Sequence, residues 1–326
     1  MLRRFSLKVL IVVGAAALAS CSTNTSNISI GPNFPTLSLY VSNATQNAIS
    51  IYPANPTSSS TPVNEIGGSN TLLNGPQYDT FDSMDRLYVT NFNAGLQLGS
   101  ITVYQAQATG NVIPLGVFTG TTSGLGHPRG IATDGSGDLF VANVSAPPQN
   151  ISSIVLFGAN TFGSPGISIA GSATGLNVPV GIKVDSNGNI DVSNSGNATI
   201  ETFGKGVTGN VAPTSTIGGP ATTLATPTGL SLDSKNNIYV ADASTNAIDI
   251  FAAGASGNVA PTAVIAGSNT KLNAPSDVEL DSSGNIYVAS NNTILIFPPS
   301  ASGNVAPSQA IPAPFPGTLI GIAIVP

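Results

Sequence analysis

Short apolar runs separated by clusters of Gly, Asn, Ser and Pro recur along this chain. The segment from Pro227 to Gly267 shows the unit clearly. Pro227-Thr-Gly-Leu-Ser-Leu232 is followed by Asp233 and a polar turn, then Ile238-Tyr-Val-Ala-Asp242. A second turn leads to Ala247-Ile-Asp-Ile-Phe251, and Gly257-Asn-Val-Ala-Pro261 precedes Ala263-Val-Ile-Ala266. Each run is too short for a helix and is bounded by turn formers, so the pattern predicts four antiparallel strands. Beyond the first twenty residues no long stretch carries apolar residues at i, i+3, i+4 and i+7. The chain is therefore expected to be all-β.

The second run repeats as Leu39-Tyr-Val41, Leu87-Tyr-Val89, Leu139-Phe-Val141, Ile190-Asp-Val192, Ile238-Tyr-Val240 and Ile286-Tyr-Val288, with middle positions 48, 52, 51, 48 and 48 residues apart. The third run keeps the same phase, from Ile49-Ser-Ile-Tyr52 to Ile294-Leu-Ile-Phe297. A Gly-Asn-Val motif opens the fourth run at Gly110, Gly209, Gly257 and Gly303. Four strands at a period near 50 predict one propeller blade per repeat, six in all. The first copy, near Thr36, lacks a first run, yet the chain ends in an unmatched one, Gly321-Ile-Ala-Ile-Val325. That last strand is expected to pair into the first blade, closing the ring and removing open sheet edges. Asp82, Asp134, Asp185, Asp233 and Asp281 follow the first strands, where a carboxylate can accept backbone N–H bonds two residues on. Asp185-Ser-Asn-Gly-Asn189 superficially matches a calcium loop, but position twelve, counting Asp185 as the first, is Gly196 rather than a bidentate Glu, and the residues are read as turn caps.

Composition narrows the picture. Only 7% of residues are charged and 41% are hydrophobic, so the bulk should fold. Residues 1–20 combine Arg3, Arg4 and Lys8 with an apolar run from Val9 to Leu18, which describes a secretory signal. The ending Leu18-Ala-Ser-Cys21 resembles the bacterial lipobox. That resemblance implies that Cys21 becomes the first mature residue and carries acyl chains, which hold the protein at a membrane. Residues 21–35 read as a flexible tether and 36–326 as the propeller. Ser22, not Asp, follows the cysteine, as in lipoproteins delivered to the outer membrane. Cleavage removes three of the nine basic residues and none of the fifteen acidic ones, leaving a formal charge of −9. Such a surface argues against nucleic acid as a partner. No second cysteine exists to form a disulfide, and a monomer is expected.

The motif Pro-x-Gly-Ile-Ala-x-Asp, then Gly-Asn/Asp-Ile/Leu-Tyr/Phe-Val-Ala-Asn/Asp, then Ile-x-Ile/Val-Phe resembles the NHL-repeat family across Leu37 to Val325, nearly the whole mature chain. The resemblance implies a partner-binding or scaffold module without a cofactor, whose partner would be a protein or carbohydrate of the envelope. The wider six-bladed group includes gluconolactonase-like hydrolases that hold a divalent ion at the channel mouth, and such an enzyme is the alternative. Lyases of this fold that need several His residues are excluded by the single histidine, His127.

Candidate chemistry is sparse. One histidine beside a proline gives no nucleophile–base pair, and no catalytic residue is assigned. Among loops entering first strands, Asp79 and Asp277 are the hard-cation donors, while Arg129 would oppose a cation; no metal site is assigned. Within the first strands the copies carry Thr80, Ala132, Lys183, Ser231, Glu279 and Ala323 at one position. Most are small, as a narrow channel requires. Lys183 and Glu279 are expected to meet across Ser231, with Asp277 nearby, either as a self-neutralising pair or as part of a ligand site.

Overall fold

The computed structural model describes residues 38–92, 98–119, 123–144, 151–159, 167–314 and 317–325; Cys21 and the preceding and following segments up to residue 37 lie outside them. Six four-stranded antiparallel sheets are arranged as the blades of a ring. Blade 1 contains β1 (Leu39–Asn43), β2 (Ala48–Tyr52) and β3 (Asn64–Gly67), and blade 2 contains β4 (Pro76–Phe81), β5 (Leu87–Asn91), β6 (Ser100–Tyr104) and β7 (Gly116–Phe118). Blade 3 is β8 (His127–Thr133), β9 (Leu139–Val144), β10 (Ser152–Phe157) and β11 (Ile167–Ala170). Blade 4 is β12 (Pro179–Val184), β13 (Ile190–Asn194), β14 (Thr199–Phe203) and β15 (Ser215–Gly218). Blade 5 is β16 (Pro227–Leu232), β17 (Ile238–Asp242), β18 (Ala247–Phe251) and β19 (Ala263–Ala266). Blade 6 is β20 (Pro275–Leu280), β21 (Ile286–Ser290), β22 (Thr293–Phe297) and β23 (Gln309–Pro312).

The last strand, β24 (Leu319–Ile324), pairs antiparallel with β1, with Leu39 opposite Ile324 and Val41 opposite Ile322. It supplies the inner strand that blade 1 lacks. Each inner strand packs on the next, and β24 lies between β20 and β4, so the ring is closed. Both faces of a blade are covered by neighbours. Strands such as β1, β5 and β21 are accordingly buried at every position instead of alternating. The aromatic residue ending each third strand (Tyr52, Tyr104, Phe157, Phe203, Phe251, Phe297) is almost completely enclosed between blades.

Local hydrogen bonds explain the repeated polar residues. Asp233 Oδ1 accepts from the N–H groups of Lys235 and Asn237 (2.8 and 2.9 Å), and Asp82, Asp134, Asp185 and Asp281 repeat the arrangement. At the opposite rim Asn91, Asn143, Asn194, Asp242 and Ser290 each accept a backbone N–H of the loop that leads into their own blade. These residues are turn caps.

The Gly-Asn-Val motif does not open the fourth strand itself. It lies ahead of the fourth strand and links adjacent blades. Gly257 donates to Thr216 O (2.7 Å) and accepts from Gly218 N (3.1 Å), forming a parallel bridge with β15 of the preceding blade. Its φ of 77° is a conformation glycine adopts without strain. Asn258 Oδ1 then accepts Ala221 N–H at 2.7 Å, and Asn111, Asn210 and Asn304 repeat the contact. Each outer strand so bridged is no longer a free edge. Asn258→Ala is expected to cost about 1 kcal/mol, the net worth of one hydrogen bond. Calorimetry should record that as a melting temperature lower by about 2 °C.

Candidate functional site

The first strands converge on the ring axis, where five copies follow proline with a two-residue step and a bulge before regular pairing resumes. Two residues after that proline (after Leu319 in β24) the copies carry glycine four times: Gly130, Gly181, Gly229 and Gly321. Neighbouring strands approach so closely that a Cβ at Gly181 would lie 2.6 Å from Thr228 O, and one at Gly321 2.5 Å from Gln77 O. Tyr78 and Asp277 replace the glycine in the two blades that flank blade 1. Tyr78 reaches across and donates to Ser276 O at 2.9 Å. Asp277 folds its carboxylate over Gly229, whose missing side chain leaves it room.

Around this constriction the structure brings together four of the five singled-out residues. Lys183 Nζ and Glu279 Oε1 form an ion pair, and Ser231 Oγ, from the intervening strand, donates to Glu279 Oε2 at 2.8 Å. Asp277 accepts Val278 N–H and Ile322 N–H, both at 2.9 Å. Asp79 accepts Ser42 Oγ–H at 3.0 Å on Oδ1, while its buried Oδ2 has no partner among the described residues. Arg129 does not join them. It does not line the cavity these groups enclose, and its buried Nε has no hydrogen-bond partner among the described residues.

Asp79 and Asp277 are not equivalent. Asp277 stands at the glycine position, opposite Ala289. Asp79 stands one residue further, opposite Val89, where the other copies carry Ile131, Ile182, Leu230, Val278 and Ile322. Asp79 is thus a carboxyl group in an aliphatic slot. Burial, with a smaller contribution from Glu279, pushes its pKa up to about 8 against the opposing effects of Ser42 and Lys183. Burial and Glu279 also raise Asp277, in spite of its two backbone donors and Lys183. Burial works to lower Lys183, but Glu279, Asp277 and Asp79 together more than offset it, so the ammonium is held. Around neutral pH the cluster is a lysine–glutamate pair with neighbouring carboxyls that resist ionisation.

The cavity between these groups is about 10 Å³, room for one water. No group of three His, Cys, Asp or Glu side chains is placed to hold a metal ion among the described residues. Both Asp277 oxygens are occupied by backbone N–H groups, and an ammonium already sits against Glu279. The donor set does not fit a divalent ion. Breaking the pair with Lys183→Met should cost about 2 kcal/mol, because the partly buried Glu279 is left without its cation. Urea titration of that variant and of a Lys183→Met/Glu279→Gln double variant checks this; if the double is no more stable than the single, the pair is not coupled.

Two buried carboxylates lay outside the sequence reading. Glu201 on β14 and Asp249 on β18 occupy one position in consecutive blades, and Glu201 Oε2 and Asp249 Oδ2 have no partner among the described residues. Burial raises their pKa values to about 7 and about 6. Alternation within those runs, Ile200-Glu-Thr and Ile248-Asp-Ile, makes a polar residue there look outward-facing in sequence.

No family model matches the sequence, and no curated protein matches it. Solved structures do. The propeller is similar to a chain of the crystallised nidogen/laminin complex (TM-score 0.63, 19% identity, covering 89% of this chain and 98% of that one). A Bacteroides caccae protein of unknown function is also similar (TM-score 0.62, 11% identity, 88% and 98%). So is a candidate 6-phosphogluconolactonase from Bacteroides uniformis (TM-score 0.57, 16% identity, 87% and 80%). At these identities the likeness is one of fold.

Proposed function

We propose that this chain is a bacterial cell-envelope lipoprotein, anchored through Cys21, whose NHL-like propeller binds a macromolecular partner and catalyses no reaction. The observation that carries this reading is the state of the ring axis. Its charged groups engage one another, and the space left holds a single water, so recognition falls to the rims. On the rim where second strands end, Phe92 and His127 stack with ring centroids 4.7 Å apart. The connections between β5 and β6 and between β9 and β10 are the longest of their kind there, at eight and seven residues, against four between β17 and β18. Aromatic surface on the rim of a rigid scaffold suits protein recognition. The likeness to a chain crystallised in a nidogen/laminin complex is consistent with such a role.

The reading is tested by affinity capture from envelope extracts with wild-type chain and a Phe92→Ala/His127→Ala variant. A partner retained by the first and lost by the second is expected; equal retention, or none by either, would count against it. Anchoring is tested separately: Cys21→Ser should abolish labelling by an alkyne fatty acid and move the protein from the membrane to the soluble fraction. The lactonase-like alternative is addressed by thermal shift with lactones and divalent cations, where a rise in melting temperature would favour it.

A further inference from the structure

One blade departs from the others at the position that fills the groove between neighbours. The second strands carry Tyr40, Tyr88, Phe140, Asp191, Tyr239 and Tyr287 there. In blades 2 and 6 the phenol reaches the turn aspartate of its own blade, Tyr88 to Asp82 Oδ2 at 3.2 Å and Tyr287 to Asp281 Oδ2 at 3.3 Å. The ring fills the space beneath it, and between blades 6 and 1 only about 10 Å³ remains beside Tyr287. In blade 4 the aromatic is replaced by Asp191, and the corresponding groove between blades 4 and 5 opens to about 290 Å³. That is near the lower end of small-molecule pockets.

The pocket floor is chemically specific. Asp191 is 4% exposed and accepts Thr202 Oγ1–H at 2.7 Å on Oδ1; no described group hydrogen-bonds its Oδ2. Asp185, the turn aspartate, is engaged by its own loop: its Oδ1 accepts the Asn187 and Asn189 N–H groups, and its Oδ2 accepts Asn189 Nδ2–H at 2.8 Å. Lys205 lays its stem beside Gly188 and makes no ion pair with either carboxylate. Asn187 and Asn236 contribute amides to the walls from the two facing blades, and Ile238 an apolar patch. A buried carboxylate without a cation, ringed by amides and hydroxyls, is matched by a ligand with one ammonium and several hydroxyls.

We infer that the groove between blades 4 and 5 is a binding site for a small hydroxylated amine of hexosamine size, with its ammonium on Asp191. This site is independent of the macromolecular partner proposed for the opposite rim. Glucosamine is the probe, with glucose as the uncharged control, in calorimetric titrations of the mature chain. Glucosamine should bind at least tenfold tighter than glucose. Asp191→Tyr, which restores the residue of the other blades, should abolish binding without lowering the melting temperature. Asp191→Asn keeps the space, removes the charge and should weaken glucosamine at least tenfold. Equal affinity for the two sugars, undiminished binding to both variants, or no binding of glucosamine by the wild-type chain overturns the assignment.

Discussion

A chain ending after Pro314 is expected to lose its cooperative unfolding transition. Removing β24 takes away Leu319 and Ile322, both buried, and leaves β1 with an unpaired edge. It also strips Asp277 of the Ile322 N–H donor and opens the seam between blades 6 and 2, where β24 packs on β20 and β4. Two wholly buried aliphatic side chains contribute about 2 kcal/mol each, and six residues of strand pairing are lost with them. The total rivals the 5–15 kcal/mol by which domains of this kind are stable. The truncated chain should therefore show a broad, non-cooperative melt and elute as aggregate, because an exposed strand edge recruits other chains. A rearranged chain separates loss of the strand from loss of its residues. Since Ile324 lies opposite Leu39, residues 319–325 can be placed ahead of β1 through a hairpin linker. That chain should recover the wild-type midpoint. A truncated protein that melts as sharply as wild type would show that the closure contributes little.

The contrast between what could and could not be read in the sequence follows from periodicity. Six phased copies of Leu/Ile-Tyr/Phe-Val impose one hydrogen-bonded geometry, and the unmatched Gly321-Ile-Ala-Ile-Val325 could go only to the copy without a first strand. Lys183 and Glu279 stood out because neighbouring copies carry small residues, and the ring brings them into contact. Arg129 is not among the residues that line the cavity, although Tyr78, which does line it, feels its charge. Asp79 was visible but its surroundings were not: counted from the preceding proline it is the fourth residue and Asp277 the third, and the bulge turns that step into a different environment. At Asp191 the missing aromatic was legible, but the groove it leaves depends on where blade 5 packs, which no count along the chain provides.

Asp79 should make the protein less stable as pH rises from about 4 to about 8. Its carboxyl has an ordinary pKa of 3.8 when unfolded and about 8 when folded. Below pH 4 both states hold the proton and the group favours neither. Between the two values the unfolded chain has released the proton while the folded chain retains it, so each pH unit removes about 1.4 kcal/mol of stability. Above pH 8 both are ionised and the penalty is constant, on the order of 5 kcal/mol. Asp191, Glu201 and Asp249 add to the slope over narrower windows, since their pKa values are also raised. Replacing Asp79 with valine, the residue type blade 6 carries at Val278, removes its share. Ser42 loses its acceptor, which costs about 1 kcal/mol at every pH. Urea unfolding should therefore find Asp79→Val slightly less stable than wild type at pH 4 and several kcal/mol more stable at pH 8.5. A difference that stayed constant across that range would mean that Asp79 is ionised in the folded ring. A gain confined to high pH would mean that this propeller keeps a proton at its axis at the expense of its own stability.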